Sequence, residues 1–193
     1  MKKKIIKTLV ILIYLLPISS KAEIISIFEG SKDAKIKLIV FESLTCTHCA
    51  DFHINIYPSL KEDFIDKGHI NIEFRNFPLD IAALNASKIA HCKNDGNSKI
   101  LHYLFSNQRQ WVKGSTIEEA NKNLKNLIEK SDLNLNFEEC LNNEEVENHI
   151  LEDRIEGVKK YKLEATPTLI INDKKFENPS NYKKLKKYLE KLI

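Results

Sequence analysis

The chain has 193 residues, with 30 basic and 27 acidic side chains, six histidines, four cysteines and a formal charge of +3. At 42% hydrophobic and 30% charged it has the make-up of a folded protein, and five glycines with five prolines exclude collagen-like or linker-rich architectures. Four cysteines in this length are too few for a disulfide-scaffold miniprotein, and the length itself fits one domain with room for an inserted subdomain.

Met1-Lys2-Lys3-Lys4 opens the chain without an acid, an apolar stretch follows from Leu9 to Ile18, and Ser20-Lys21-Ala22 places small residues where a signal peptidase reads. Basic region, short apolar core and small-x-small exit describe a secretory signal peptide over residues 1–22, cleaved after Ala22. The apolar run is shorter than the roughly 20 residues a membrane span needs, which disfavours an uncleaved anchor. No cysteine follows it, so a lipoprotein is not expected. Lys2, Lys3, Lys4, Lys7 and Lys21 leave with the peptide, so 25 basic residues face 27 acidic ones at a net charge of −2. A nucleic-acid partner loses its only global support. All four cysteines stay in the exported part, and the periplasm, which permits disulfides, is the expected location.

Ile36 to Phe41 (Ile-Lys-Leu-Ile-Val-Phe) suits a central strand covered on both faces. After it comes Cys46-Thr47-His48-Cys49, then a helical pattern of Cys49, Phe52, Ile56, Leu60 and Phe64, kinked at Pro58 and closed by Lys67-Gly68. Ile70, Ile72, Phe74 and Asn76 alternate as a second strand. Residues 80–155 show only helical patterns. One carries Ala82, Ala86, Ile89 and Ala90; a second runs from Ile100 to Trp111; a third opens at the capping box Thr116-Ile117-Glu118-Glu119. The last and longest is expected to bury Val146, Ile150, Leu151, Ile155 and Val158. Trp111 reads as a core aromatic rather than a stacking platform. Thr168 to Ile171, a turn at Asn172-Asp173-Lys174 and Lys175-Phe176 return the chain to β structure. A lysine-rich helix from Asn181 closes it, packed through Leu185, Tyr188, Leu189 and Leu192. The expected class is α/β, with one domain (23–79 and 156–193) interrupted by a helical insertion over 80–155.

A CxxC between a buried strand and a helix puts Cys46 at a helix N-terminus, where unpaired N–H groups and the macrodipole favour a thiolate. Cysteine pKa values in such settings fall to roughly 3.5–7.5 from about 8.5. Cys46 is the attackable sulfur, Cys49 one turn in the resolving thiol, and His48 a nearby group that stabilises the Cys46 thiolate. In Ala165-Thr166-Pro167-Thr168, a proline before an apolar strand points to a cis peptide that leaves the Thr166 backbone free to pair with an extended substrate. A zinc site using His48 or His53 lacks a second ligand pair, and no metal is expected. His53, His69, His91, His102 and His149 are unclustered in sequence and read as surface or capping residues. Cys92 and Cys140, 48 positions apart, read as a structural disulfide, with a second redox pair or two free thiols as the alternatives.

Three runs then carry a resemblance: Ser43-Leu44-Thr45-Cys46-Thr47-His48-Cys49-Ala50-Asp51-Phe52-His53, Phe74-Arg75-Asn76-Phe77-Pro78-Leu79-Asp80, and Thr166-Pro167-Thr168. Together they strongly resemble the DsbA-type thiol:disulfide oxidoreductases of the thioredoxin superfamily, most of all alphaproteobacterial members, over essentially all of residues 23–193. The resemblance implies a thioredoxin fold with an inserted helical subdomain, reduced exported proteins as substrates, and reoxidation by a quinone-linked membrane partner of the DsbB type. A monomer without a cofactor is expected. This chain departs from the family in three places. Thr47-His48 replaces the Pro-His dipeptide of the strongest oxidants. Thr166 before the proline also occurs among isomerase-like relatives. Val40 stands where many relatives keep a buried acid for proton transfer, and Glu42 is the candidate replacement. Two alternatives stay open: a disulfide isomerase or reductase, and an exported thioredoxin-like binding or chaperone protein.

Overall fold

The computed structural model describes residues 23–193, and the expected signal peptide, residues 1–22, lies outside them. Five strands form one sheet: β1 (Ile27–Gly30), β2 (Ile36–Glu42), β3 (Ile70–Asn76), β4 (Thr168–Ile171) and β5 (Lys174–Phe176), in the order β1-β3-β2-β4-β5. β2 runs parallel to β3, with Leu38 opposite Ile72 and Glu42 opposite Asn76, whereas β4 pairs with β2 antiparallel, Val40 opposite Leu169. β1 was not legible in the sequence. It lies antiparallel to β3 on the sheet edge, and only Ile27 of its four residues is buried, so no alternating pattern marks it.

The twofold period of β2 separates two cores. Leu38 and Val40 face the larger one, with Phe52, Leu60, Phe64, Ile89, Leu104, Trp111 and Leu185. Phe41 faces a smaller cluster of Phe77, Leu163 and Ile170, flanked by Ile39 and Tyr161. The expectation that β2 is covered on both faces therefore holds.

The helical stretch after the CxxC is α1 (Thr47–Asp51), a π-helical turn (Phe52–Ile56), α2 (Tyr57–Leu60) and a second π-helical turn (Lys61–Ile65). Pro58 cannot donate an N–H and its ring crowds the carbonyl four residues back. The widened turns before and after it take the place of a simple kink, with the Tyr57 N–H reaching back to the Phe52 carbonyl. Six helices follow before β4: α3 (Ile81–Ala90), α4 (Lys99–Ser106), α5 (Gln108–Trp111), α6 (Ile117–Glu129), α7 (Phe137–Leu141) and α8 (Glu144–Tyr161). The expected single helix from Ile100 to Trp111 is broken at Asn107, whose side chain donates to the Tyr103 carbonyl. Thr116 caps α6 by accepting from the Glu119 N–H, while the Glu119 carboxylate takes the Ser115 N–H. The boundary drawn at residue 155 falls within α8. The closing helix is α9 (Tyr182–Leu189), capped by Asn181.

The inward face of α8 differs from expectation. Val146, Ile150, Asp153 and Gly157 are buried, whereas Leu151, Ile155 and Val158 are exposed. A buried acid and a glycine occupy positions that an apolar pattern would not select. Asp153 accepts from the Asn76 backbone N–H at 3.0 Å and so ties α8 to the end of β3. Gly157 lets α8 approach the smaller core, since a Cβ there would stand 2.8 Å from Leu163 Cδ1 and 3.0 Å from Phe41 Cε1. Gly157→Val is expected to lower stability by about 2 kcal/mol through overpacking, read from the urea midpoint. An unchanged midpoint would show that the contact yields without cost.

Candidate active site

The reactive loop is held from three directions. The Phe77 N–H donates to the Glu42 carbonyl at 2.7 Å, the Leu79 N–H to Ser43 Oγ, and Thr45 Oγ1 to Asp80 Oδ2 at 2.8 Å. Asp80 also caps α3 by accepting from the Ala83 N–H. This is why Ser43–Cys49 and Phe74–Asp80 behave as one unit, although 35 residues separate Thr45 from Asp80. From the insertion, Gln108 Nε2 donates to both the Leu44 and Cys46 carbonyls, at 2.8 and 3.0 Å. Gln108 carries no motif of its own and was missed in the sequence.

Cys46 is the N-cap of α1 and half-buried, and Cys49 is fully buried; both are free thiols in this structure. The Cys46 pKa is lowered to about 5, first by a hydrogen bond from the Cys49 thiol, then by Thr166 and by the backbone N–H groups of Cys49 and His48, all against the cost of burial. Burial pushes the Cys49 thiol far up, and the Glu42 charge pushes in the same direction. The two sulfurs are thus strongly unequal. His48 is exposed and acts on Cys46 through its backbone N–H rather than through its imidazole.

The Thr166–Pro167 peptide is cis, as the sequence pattern implied. The Thr166 carbonyl lies 3.4 Å from Cys46 Sγ, placing the segment before β4 directly beside the reactive sulfur. The Thr166 hydroxyl is buried with no hydrogen-bond partner of its own among the described residues.

A family model described as thioredoxin matches residues 23–191. The chain belongs to the thioredoxin family. It is 29% identical over 153 residues to a Rickettsia bellii protein provisionally named a protein-disulfide oxidoreductase. That match covers 78% of this chain and 58% of the relative, so the chain spans little more than half the length of the curated relatives it matches first. Among solved structures, Wolbachia pipientis alpha-DsbA1 is 29% identical, with 92% of this chain and 93% of that one covered at a TM-score of 0.69. A protein-disulfide isomerase from Novosphingobium aromaticivorans, 21% identical, shares the fold at a TM-score of 0.73, with 87% of this chain and 98% of that one covered. The thioredoxin fold with a helical insertion and the likeness to DsbA, both expected from the three motifs, agree with these findings.

In this thioredoxin fold, Glu42 is buried at the end of β2, and burial raises its pKa well above the ordinary carboxylate value. Val40, two residues earlier, is a core side chain. The histidines correct the sequence reading. His53 and His91 are buried; His53 bonds both Glu42 and His102, and His91 packs 5.3 Å from His149 between ring centroids. His53 lies four residues after Cys49 and three before Ile56, on the buried face of the helical stretch beside Phe52, so its position follows the helical period and only its polarity argued for the surface. Cys92, just past α3, and Cys140 in α7 form a disulfide with Cα atoms 5.0 Å apart.

Proposed function

We propose that this chain is an exported protein-disulfide oxidoreductase that passes a Cys46–Cys49 disulfide to reduced proteins in the periplasm. The observation that carries the reading is the inequality of the two sulfurs at one helix N-terminus, with Cys46 held near pKa 5. A substrate thiolate attacks Cys46 Sγ, the Cys46–Cys49 bond breaks, and Cys49 leaves and takes up a proton. A second substrate thiolate then attacks the substrate sulfur of the mixed disulfide and expels Cys46 as its stabilised thiolate. The substrate leaves oxidised by two electrons and the enzyme remains as the dithiol. Because reduced Cys46 is so stabilised, the disulfide form is a strong oxidant.

Thr166 and Pro167 are the substrate-binding segment in this reading, with the Thr166 backbone pairing with an extended substrate. Starting at Thr45, the residue before Cys46, a groove of about 670 Å³ is lined by Leu79, Ile81, Val112 and Ile117, and its exposed apolar side chains suit an unfolded chain. A DsbB-like membrane quinone oxidoreductase would restore the disulfide. The names of the relatives, one of them "Disulfide bond formation protein D" of Bacillus subtilis at 26% identity, support the oxidoreductase reading. Thr166 before the cis proline keeps an isomerase role as the second reading.

The test runs two assays side by side with the oxidised protein: disulfide formation in a reduced, unfolded substrate, and reactivation of a scrambled one. Stoichiometric oxidation that is lost in Cys46→Ala, with little unscrambling, is expected. Efficient unscrambling without net oxidation would move the assignment to an isomerase, and activity retained in Cys46→Ala would falsify both.

A further inference from the structure

Cys49 must gain a proton each time the disulfide opens and lose one each time it closes, yet it is fully buried and the substrate covers the side on which Cys46 opens. Glu42, buried like Cys49 and near enough for its charge to act on that thiol, begins a continuous line of hydrogen bonds. Glu42 Oε2 meets His53 Nε2 at 2.6 Å, His53 Nδ1 meets His102 Nδ1 at 2.9 Å, and His102 Nε2 meets Glu29 Oε1 at 2.9 Å. Glu29 stands on β1, the sheet edge separated from β4 and the Thr166 segment by β3 and β2. Glu42 Oε1 has no partner among the described residues.

We infer that His53 and His102 form an internal proton wire that carries the Cys49 proton between Glu42 and Glu29, away from the substrate-covered side. The inference rests on the dithiol–disulfide reading above and adds to it a route and two residues. Both nitrogens of both rings are engaged, and an Nδ1-to-Nδ1 bond requires one ring to donate and the other to accept. The tautomers are therefore locked in opposition, and neither ring can switch alone.

The transfer balances atom by atom. When the dithiol closes to the disulfide, Cys49 gives its proton to Glu42 Oε1. Glu42 releases the proton on Oε2 to His53 Nε2, His53 passes its Nδ1 proton to His102 Nδ1, and His102 passes its Nε2 proton to Glu29 and so to solvent. Each ring is left with its tautomer exchanged. Opening of the disulfide then runs the same hops inward and resets the line. The proposed two-electron exchange supplies the chemistry, and the wire moves protons only.

The surroundings suit a neutral relay. Burial raises the Glu42 pKa well above the ordinary carboxylate value and drives the His53 pKa down to about 3, so burial favours the neutral form of both. Glu29 is the opposite: burial alone would raise it, but hydrogen bonds from His102, Ser98 and Tyr57 hold it near 2. The line thus ends on a fixed anion that accepts from His102. Facing Glu42 are Cys46, Cys49, His53 and His102; facing Glu29 are His102, Ser98, Tyr57 and Lys61, the last at 3.9 Å. Phe105 stacks on His53 at 4.1 Å and shields the middle of the line.

The test uses dithiothreitol as the only reductant, with quenched alkylation and intact mass following reduction of the Cys46–Cys49 disulfide in the full chain. His102→Gln is expected to slow reduction by at least about fivefold and to flatten its pH profile, a modest part of what positioned acid–base groups supply. Because that variant can fail by unfolding, nitrogen-15 NMR of the unmodified protein supplies the second measurement. His53 and His102 should exchange tautomers between the dithiol and disulfide states. A folded His102→Gln with unaltered rate and pH profile, or unchanged tautomers across the two redox states, overturns the wire. Neither readout involves a protein substrate, so failure to oxidise exported proteins would sink the functional reading and leave this one standing.

Discussion

Iodoacetamide at pH 6 is expected to modify Cys46 and leave Cys49 untouched, with a half-maximal rate for Cys46 near pH 5. At a pKa of about 5, Cys46 is some nine-tenths thiolate at that pH. An ordinary cysteine with a pKa of about 8.5 is roughly 0.3% thiolate there, a ratio of about 300. A less basic thiolate is a poorer nucleophile, and a Brønsted slope of about 0.4–0.5 over some 3.5 pKa units gives back roughly a factor of 40. The net advantage is just under tenfold at pH 6, and it reverses near pH 7, where the ordinary thiol is already about one-fortieth ionised and each of its thiolates is roughly 40 times more nucleophilic. Cys49, buried with a pKa raised by burial and by Glu42, contributes nothing over this range.

The same shift sets a sign for stability. The Cys46 pKa is lower in the folded dithiol than in the unfolded chain, so the unfolded state binds more protons between about pH 5 and 8.5. The dithiol form therefore gains stability as pH rises through that window, has the whole contribution above it, and loses it as pH falls through about 5. The disulfide form has no such term. An alkylation midpoint near 8.5, or a dithiol-minus-disulfide stability difference that is flat from pH 5 to 8, would remove the basis for an oxidant.

What the sequence disclosed and what it hid follow from the range of the interactions involved. β2, the CxxC and the helix after it are adjacent in the chain, and Thr166-Pro167 is marked by the one residue that cannot join a strand ladder, so each shows locally. The buried acid was legible as Glu42 because it lies only four residues before Cys46, at the end of β2. Its partners were not. His53 sits on the inward face of the helix at the ordinary spacing, but a polar side chain there reads as surface by hydropathy, and His102 on α4 lies 49 residues from His53 while Glu29 on β1 lies 73 from His102. Gln108 acts through two carbonyls of the reactive loop, 64 and 62 residues distant. On α8 the period was correctly helical but its phase was not, because Asp153 and Gly157 are chosen by what they meet on β3 and Phe41, not by hydropathy. Single-chain patterns report which side chains avoid water, and these polar contacts are fixed by tertiary placement.

Removing the Cys92–Cys140 disulfide through the double variant Cys92→Ala with Cys140→Ala is expected to cost about 4 kcal/mol, the chain-entropy value for a loop of this length. The bridge links the end of α3 to α7, and Cys140 is itself fully buried against the larger core. It therefore holds together a region built of short helices, where α5 and α7 have four and five residues and little cooperative stability of their own. For a chain of this size the loss corresponds to a fall in Tm of roughly 10 °C. Alkylation of Cys46 at pH 6 should be unchanged below the new Tm, since none of the groups that hold its thiolate belongs to α3 or α7. A drop in Tm with intact Cys46 reactivity separates a structural bridge from a second redox pair. A loss of Cys46 reactivity in a variant that keeps its Tm would instead couple the bridge to the catalytic dithiol.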